Sequence, residues 1–168
     1  EILAQHAADK WFASREPDVV VFARTTEDVS KTLRFANARG IAVTARGAGF
    51  GYVGGCVPAR RGISLSLARM TRIREIHFED GVAVVEPGVV NARLSDAAAP
   101  FGLHYAPDPS SQTACTLGGN VAENAGGPHC LALGVTQNHV LGIEVVTADG
   151  EVTWLGGRVA DMYGYDVR

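Results

Sequence analysis

Apolar and polar positions in the first third of the chain follow the pattern of a parallel β-α-β unit. Residues 19–23 are a continuous apolar run rich in β-branched side chains, which predicts a buried strand. Thr26 and the two acids after it predict a helix with Thr26 as its N-cap, and Gly40 predicts its end. Residues 41–45 predict the next strand, and the whole unit has the size of a parallel crossover.

The middle of the chain continues with strands and a helix. Alternating positions at residues 62–67 and an apolar run at residues 81–86 predict two more strands. Asn91 predicts the N-cap of a helix over residues 92–99.

The last predicted elements are two strands, at residues 139–148 and 151–155. They are joined at Asp149-Gly150, a strong signal for a β-hairpin. Strands and helices therefore mix along the chain, and the pattern predicts a mixed α and β fold.

Charge and composition exclude several classes of protein. The 15 lysines and arginines face 18 aspartates and glutamates, and the net charge of −3 argues against a nucleic-acid partner. An apolar share of 46% with 20% charged residues is typical of a globular protein. No apolar run approaches the roughly 20 residues that span a bilayer. We therefore expect no integral membrane segment, no signal peptide and a cytoplasmic location.

The cysteines give neither a disulfide nor a metal signature. Cys56, Cys115 and Cys130 are an odd number at wide spacing, unlike a disulfide framework. His129 and Cys130 are adjacent residues of metal-ligating types, but no Cys-x-x-Cys pair accompanies them, and structural zinc sites need four ligands. We expect no metal site in the chain.

Glycine is enriched in the chain, and its positions are clustered. The 20 glycines are about 12% of the 168 residues, against a usual share of about 7%. Half of them lie within residues 47–55 and 118–134. Residues 46–55, the first glycine loop, follow a predicted strand and contain five glycines. Successive glycine amides can point into one concavity and hold phosphate oxygens. The alternative is a flexible surface turn.

The first glycine loop also contains, at residues 49–54, the Gly-x-Gly-x-x-Gly spacing of Rossmann dinucleotide sites. That motif requires a helix at its end, because the helix N-terminus binds the pyrophosphate. Here Pro58 and the predicted strand at residues 62–67 follow instead. No helix is expected there, so the Rossmann interpretation fails.

The second glycine segment, residues 115–135, combines glycine pairs with Asn120 and Asn124. An amide side chain donates and accepts hydrogen bonds at once, which matches the edge of a heteroaromatic ring. The alternative is a glycine-rich connection whose asparagines cap turns. Two such segments in one chain favour a dinucleotide ligand, because one can hold a pyrophosphate and the other a flat ring.

Four motifs in order carry a resemblance to a known family: residues 46–55, 107–111, 118–127 and 140–150. The chain resembles the FAD-binding PCMH-type (vanillyl-alcohol oxidase-like) domain of FAD-linked oxidases, in the branch of the glycolate oxidase D-subunit and D-lactate dehydrogenase. The resemblance implies an α+β fold with two α/β subdomains, residues 17–88 with the pyrophosphate loop and residues 89–168. A helical segment at residues 1–16 would precede them. We expect the second subdomain to be truncated at its C-terminus and the C-terminal cap region to be absent.

The resemblance also implies which residues bind FAD. Those expected at the pyrophosphate are Arg46, Gly47, Ala48, Gly49, Phe50, Gly51 and Gly55. Those expected along the ribityl chain and the isoalloxazine ring are Pro107, Ser111, Gly118, Gly119, Asn120, Asn124, Gly126 and Gly127, with Val140 near the nucleotide end.

Two departures from the family pattern limit the side-chain contacts. Phe50 and Val53 stand where relatives carry small hydroxyl residues, so the cradle would rest on backbone amides. Some relatives attach the flavin covalently to a His in this loop, and the first glycine loop of this chain has no His. We therefore expect non-covalent FAD, with Cys130 a disfavoured nucleophile.

For function, the resemblance implies oxidation of a small 2-hydroxy acid, such as glycolate or D-lactate, by hydride transfer to flavin N5. Asn124, His129 and Arg168 are candidates for stabilising the N1 side of the ring. No base is identifiable, and the substrate residues are expected beyond residue 168. The alternatives are a nucleotide-binding module without catalysis and a redox-neutral relative that uses FAD to build an ether lipid. An iron–sulfur or second flavin subunit is a further implied partner.

Overall fold

The computed structural model describes residues 1–157, so the predicted role of Arg168 lies outside the described residues. Within residues 1–16, predicted to be a helical segment, the only helix is α1 (Ile2–Gln5). A three-stranded sheet follows, made of β1 (Val19–Phe22), β2 (Val43–Arg46) and β3 (Ile63–Ser66). β3 lies in the centre and pairs in parallel with both neighbours. The predicted parallel crossover is confirmed, with a later strand inserted between its two strands.

The crossover helix, α2 (Thr26–Asn37), begins one residue earlier than predicted, because the predicted cap Thr26 is its first residue. Thr25, and not Thr26, is the N-cap: its hydroxyl accepts the Asp28 N–H at 3.2 Å, and Asp28 accepts the Thr25 N–H at 3.2 Å. The prediction of Thr26 was wrong because a capping box pairs the cap with the residue three positions later, and Asp28 fits Thr25. One face of α2 packs on the sheet, and the buried core there consists of Ala23, Ala36, Ile63, Leu65 and Met70.

An antiparallel pair comes next, formed by β4 (Ile73–His77) and β5 (Val82–Val85). β5 was predicted and β4 was not, because Arg74 and Glu75 interrupt its apolar pattern. The following helix is α3 (Asn91–Ala98), and it ends in a short 3-10 turn (Ala99–Phe101).

Asn91 was predicted as the N-cap of α3 and is instead its first residue. Val90 holds the cap position, where no side chain caps the helix. The Asn91 side chain is fully buried, because its hydrogen-bond partners lie on other segments: it donates to Pro107 O at 3.1 Å and accepts from Asn120 Nδ2 at 2.8 Å. The cap prediction was therefore wrong, and the amide serves tertiary contacts.

The last elements are α4 (Leu117–Glu123), α5 (Cys130–Leu133), β6 (Gly142–Val146) and β7 (Val152–Gly156). β6 and β7 form the predicted antiparallel hairpin. β6 begins three residues later than predicted, because Thr136–His139 form a 3-10 turn. α4 was not predicted, and it packs through Leu117 on a second core with Val89 and Leu94. Among the described helices none is long and apolar enough to cross a membrane.

Candidate cofactor site

A cleft of about 1950 Å³ lies between the first glycine loop and α4, and β5 and β6 also contribute to its walls. It is larger than the roughly 300–1,000 Å³ of ordinary small-molecule pockets, as an extended ligand requires. The predicted site residues that line it are Arg46, Gly47, Ala48, Gly49, Phe50, Gly51, Gly55, Ser111, Gly118, Gly119, Asn120 and Val140. Two segments about 60 residues apart in the sequence thus face one cleft.

The first glycine loop leaves β2 and remains irregular until β3, as predicted. Gly49 and Gly54 adopt positive φ angles of 74° and 75°, which side chains with a Cβ rarely adopt. Residues 46–51 line the cleft, so the backbone of this part of the loop borders it. A glycine-rich backbone beside a cleft fits the expected anion cradle.

Arg46 places a buried guanidinium under this loop. Its Nη1 donates to Ala8 O at 2.8 Å and to Cys56 Sγ at 3.2 Å. A Cβ placed on Gly49 would lie 2.3 Å from Arg46 Nη2, so the guanidinium fills the space beneath that glycine. No carboxylate of the described chain forms an ion pair with Arg46. Its positive charge therefore has no ionic partner among the described residues.

α4 approaches the loop closely because its first turn contains two glycines. The Gly118 N–H donates to Pro87 O at 2.9 Å, and a Cβ on Gly118 would lie only 2.6 Å from Pro87 Cβ. A Cβ on Gly47 would lie 3.9 Å from the Gly119 nitrogen. The absence of side chains therefore brings the backbone of α4 close to the backbone of the first glycine loop.

Thr116, directly before α4, carries a buried hydroxyl without a partner. Thr116 is only 6% exposed, and its Oγ1 makes no hydrogen bond within residues 1–157. A Cβ on Gly47 would lie 2.7 Å from that oxygen. Ser64 Oγ, the other such side-chain atom found in the described part, does not line the cleft. Leaving a buried hydroxyl unpaired costs about 1–3 kcal/mol, so Thr116 fits a ligand with hydrogen-bonding oxygens.

Sequence reasoning missed Thr116, because only its buried, unpaired hydroxyl distinguishes it from other threonines. The residues present therefore fit a phosphate-bearing cofactor by three independent features: an open glycine backbone, a buried cation without an ionic partner, and an unpartnered hydroxyl.

Asn120 lines the cleft, but part of its amide is used inside the protein. Its Nδ2 donates to Asn91 Oδ1, and Asn91 in turn donates to Pro107 O. Pro107 is fully buried behind this pair and does not belong to the lining of the cleft in the described structure. The chain Asn120–Asn91–Pro107 ties α4, the start of α3 and the loop at residues 107–111 together.

Asn124, Gly126 and Gly127 lie outside the large cleft. Asn124 ends α4 with a φ of 48°, and its Oδ1 accepts the Gln137 N–H at 2.9 Å beside a small cavity of about 130 Å³. Gly126 packs against Cys130, and a Cβ on Gly127 would lie 2.2 Å from Asp108 O. These three residues shape the connection that leaves α4.

His129 and Cys130 are both exposed, and neither lines the cleft described by residues 1–157. His129 Nδ1 lies 2.5 Å from Asp108 Oδ2, and this hydrogen bond is the main cause that lowers the pKa of Asp108. Cys56 does line the cleft, where burial raises the pKa of its thiol. The Cys56 sulfur is therefore held in its unreactive protonated form.

Comparison with known proteins decides the identity of the ligand. Residues 17–156 match the family described as FAD binding domain. The chain belongs to this FAD binding domain family. Its relatives include the glycolate oxidase subunit GlcD of Escherichia coli strain K12, which is 46% identical over 151 residues. The D-lactate dehydrogenase of Archaeoglobus fulgidus is 42% identical over 150 residues. The predicted family branch and the FAD cofactor are confirmed.

Both relatives are longer proteins. The matches cover 90% and 89% of this chain but only 30% and 33% of the two relatives, respectively. The chain thus spans about a third of the length of the curated relatives that it matches.

Two solved structures share the fold. An alkyldihydroxyacetonephosphate synthase structure superposes with a TM-score of 0.80 at 22% identity, over 91% of this chain and 30% of that one. The 6-hydroxy-D-nicotine oxidase of Arthrobacter nicotinovorans superposes with a TM-score of 0.77 at 24% identity, over 92% and 33%. The predicted fold class is confirmed by these two superpositions, and at such identities they show the fold alone.

Proposed function

We propose that the chain holds FAD non-covalently in the cleft between the first glycine loop and α4, as the cofactor-binding part of an enzyme that oxidises a small 2-hydroxy acid. The observation that carries the proposal is the unpartnered Thr116 hydroxyl facing the glycine loop, in a chain that is 40–46% identical to glycolate oxidase subunits. Glycolate and D-lactate are the substrates that the relatives' names support.

The two sides of the cleft have different tasks in this proposal. The amides of residues 47–51, with Gly55, receive the pyrophosphate, and Arg46 supplies the positive charge beneath them. Ser111, Gly118 and Gly119 border the ribityl chain and ring, and Val140 borders the nucleotide end. Pro107, Asn124, Gly126 and Gly127 act from behind the lining by fixing the backbone that leads into and out of α4.

When bound, FAD would supply the acceptor for the hydride, a proton with two electrons, that leaves the substrate carbon. The chain's own residues bind and orient the cofactor and exclude water from its buried side. Thr116 Oγ–H donates to a cofactor oxygen, which relieves the unpaired hydroxyl. We assign the substrate base to none of the described residues.

Non-covalent attachment is the second part of the proposal. The first glycine loop contains no His, the Cys56 thiol is held protonated, and Cys130 lies outside the cleft lining within residues 1–157. Acid precipitation of the flavin-loaded protein should leave all flavin in the supernatant. Yellow colour retained in the washed pellet would contradict non-covalent binding.

The function is tested in two steps on the protein as the organism produces it. The released chromophore is first identified by mass spectrometry, and FAD is expected. Anaerobic addition of glycolate or D-lactate should then bleach the flavin absorption near 450 nm by about the full amplitude. Absence of flavin after incubation with FAD would favour a nucleotide-binding module without catalysis. Bound FAD that none of these acids bleaches would favour the redox-neutral alternative, a builder of ether lipids.

A subunit partner and a compartment complete the proposal. Relatives are named as subunits of glycolate oxidase, which supports association with a further subunit. We propose an iron–sulfur or second flavin subunit as that partner. The cytoplasm is the compartment that we propose, on the sequence arguments given above. Affinity isolation from the native cell, followed by identification of the bound chain and its metal content, tests the partner.

A further inference from the structure

Residues 8–11 lie against the first glycine loop, although they precede the residues that match the family. Three hydrogen bonds join the two segments. Arg46 Nη1 donates to Ala8 O at 2.8 Å, the Lys10 N–H donates to Gly51 O at 3.0 Å, and the Gly54 N–H donates to Asp9 Oδ2 at 2.9 Å. The Lys10 ammonium also lies 4.9 Å from the centre of the Phe50 ring. The N-terminal segment therefore holds the loop at both ends and in its middle.

Asp9 is the only residue of this segment that reaches the loop with a carboxylate. Its Oδ1 accepts the Trp11 N–H at 2.7 Å, which fixes the carboxylate on its own backbone, and its Oδ2 accepts the Gly54 N–H. Gly54 has a φ of 75°, so this hydrogen bond holds the loop at one of its two left-handed turns. Asp9 is half-buried and lines the cleft.

The negative charge of Asp9 should disfavour a pyrophosphate in the cleft, so the charge itself does not explain a contribution to FAD binding. A carboxylate at the wall of a site for a pyrophosphate repels that anion. Its contribution must therefore come from its position as a hydrogen-bond acceptor, which sets the shape of the loop.

We propose that Asp9 is a positioning residue that holds the first glycine loop in its FAD-binding shape, so that residues 8–11 form part of the cofactor site. This inference rests on the proposed function of the cleft. It predicts that the geometry of the Asp9 side chain governs FAD affinity and that its negative charge does not.

Two conservative variants separate geometry from charge. Asp9→Asn removes the charge and keeps one acceptor oxygen, which can still accept the Gly54 N–H while the amide nitrogen takes the place of the oxygen that accepts the Trp11 N–H. Asp9→Glu keeps the charge and moves the carboxylate one methylene further out. Asp9→Ala removes both. The matched control is Asp18→Ala, because Asp18 also accepts a glycine N–H, from Gly62 at 2.8 Å, and does not line the cleft of the described structure.

The experiment measures the Kd for FAD by fluorescence titration and the Tm without FAD, on the protein as it is naturally produced. We expect Asp9→Ala to raise the Kd about tenfold, the loss of one hydrogen bond to a charged group. Asp9→Glu should also raise the Kd. Asp9→Asn should raise the Kd by less than Asp9→Ala and Asp9→Glu do, because its one oxygen can still accept the Gly54 N–H, and Asp18→Ala should leave the Kd unchanged while lowering the Tm.

Three results are decisive. An Asp9→Ala Kd equal to that of the wild type overturns the inference, and so does an Asp9→Asn Kd as weak as that of Asp9→Ala. If Asp9→Ala does not fold, an Asp9→Asn Kd closer to the wild-type value than that of Asp9→Glu supports the inference, and equal Kd values for these two variants overturn it. A wild type that binds no FAD contradicts the proposed function instead, which keeps the two failures apart.

Discussion

The first glycine loop and the second glycine segment have the same number of glycines and use them for different physical reasons. Gly49 and Gly54 are required for their left-handed backbone conformations. Gly118 is in a helix, and it is required because Pro87 Cβ lies where its own Cβ would be. Equal composition thus produces an open backbone on one side of the cleft and a closely packed helix on the other.

The two regions also differ in what holds them. The first glycine loop is fixed by side chains and backbone far away in the sequence, through Asp9 and through the contact of Arg46 with Ala8. The start of α4 is fixed by backbone hydrogen bonds to Pro87 and Val89 and by the buried amide of Asn91. A substitution in the first region should therefore harm cofactor binding, whereas one that disturbs the packing at the start of α4, as at Gly118, should harm folding.

Gly49→Val should have the largest effect on the cofactor. A branched side chain is strained at a φ of 74°, and its Cβ would lie 2.3 Å from the Arg46 guanidinium, which must move. We expect FAD binding to weaken by at least about a hundredfold, because both the backbone cradle and the fixed charge are displaced. Flavin content after purification and a fluorescence titration measure it.

The control for that variant is Gly40→Val. Gly40 has a φ of 63°, and a Cβ there would meet nothing within 4 Å. The Gly40→Val variant should lose about 1–3 kcal/mol of stability through backbone strain alone, because position 40 does not line the cleft of the described structure. Equal loss of FAD in both variants would show that strain, and not the site, explains the result.

Gly118→Ala and Gly119→Ala test whether α4 separates packing from binding. Alanine at position 118 would clash with Pro87 and should destabilise the protein by about 1–3 kcal/mol. Alanine at position 119 would meet only Thr116 Oγ1, at an ordinary 3.5 Å, and should raise stability by up to about 1 kcal/mol. Because Gly119 lines the cleft, its methyl group should weaken FAD binding by roughly tenfold or more. Urea unfolding and FAD titration of both variants give the comparison.

The predicted difference between Gly118→Ala and Gly119→Ala is wrong if the two variants behave alike. If both lower stability and leave FAD affinity unchanged, the face of α4 that carries Gly119 is not part of the cofactor site.

Thr116→Val should stabilise the protein without FAD and weaken its complex with FAD. Valine has the shape of threonine and removes a buried hydroxyl that has no partner within the described chain, so unfolding without FAD should become harder by about 1 kcal/mol. The loss of its hydrogen bond to the cofactor should raise the Kd about tenfold. Thr116→Ser, which keeps the hydroxyl, should restore most of the affinity. A valine variant that binds FAD as well as wild type would remove Thr116 from the site.

Glu86→Gln should have the smallest effect on FAD affinity, and it should change the stability of the protein instead. Burial raises the pKa of this carboxyl group, but hydrogen bonds from the Arg72 side chain and backbone outweigh it, so the pKa lies below its ordinary value of 4.5. A lowered folded pKa means that the stabilisation is present above about pH 4.5 and is lost as the pH falls through the folded pKa. Glu86→Gln should cost about 1–2 kcal/mol at neutral pH and flatten the acid limb of the stability curve.

The matching measurement is urea unfolding of wild type and Glu86→Gln between pH 3 and pH 7. Glu86 directly precedes Pro87, on which Gly118 packs, so the variant should weaken the second region and leave FAD affinity nearly unchanged. Parallel pH curves for the two proteins would contradict the assigned role of the carboxylate.

Much of the fold could be predicted from local signals. The apolar runs of β1 and β3, the helix between β1 and β2, and the Asp149-Gly150 turn each carry their information within a few residues. α4 could not be predicted in this way, because two glycines in its first turn disfavour a helix and only its packing on Val89 and Pro87 makes it form.

The candidate site also has a part that was predictable from the sequence and a part that was not. The order of the glycine motifs indicated which segments should meet, and the structure brings the first glycine loop and α4 to one cleft. The roles of Thr116, Asn91 and Asp9 were not predictable, because each depends on burial or on a partner on another segment. Thr116 in particular is an ordinary threonine in the sequence, and only its unpaired buried hydroxyl distinguishes it.

Hydrogen exchange of the backbone amides, followed by mass spectrometry with and without saturating FAD, tests the central claim most directly. If the cleft between the two glycine regions binds FAD, exchange should slow by about tenfold or more in peptides covering residues 46–55 and residues 116–120, because ligand contacts suppress local opening. FAD binding that leaves exchange in both segments unchanged, while protecting another part of the chain, would contradict the account.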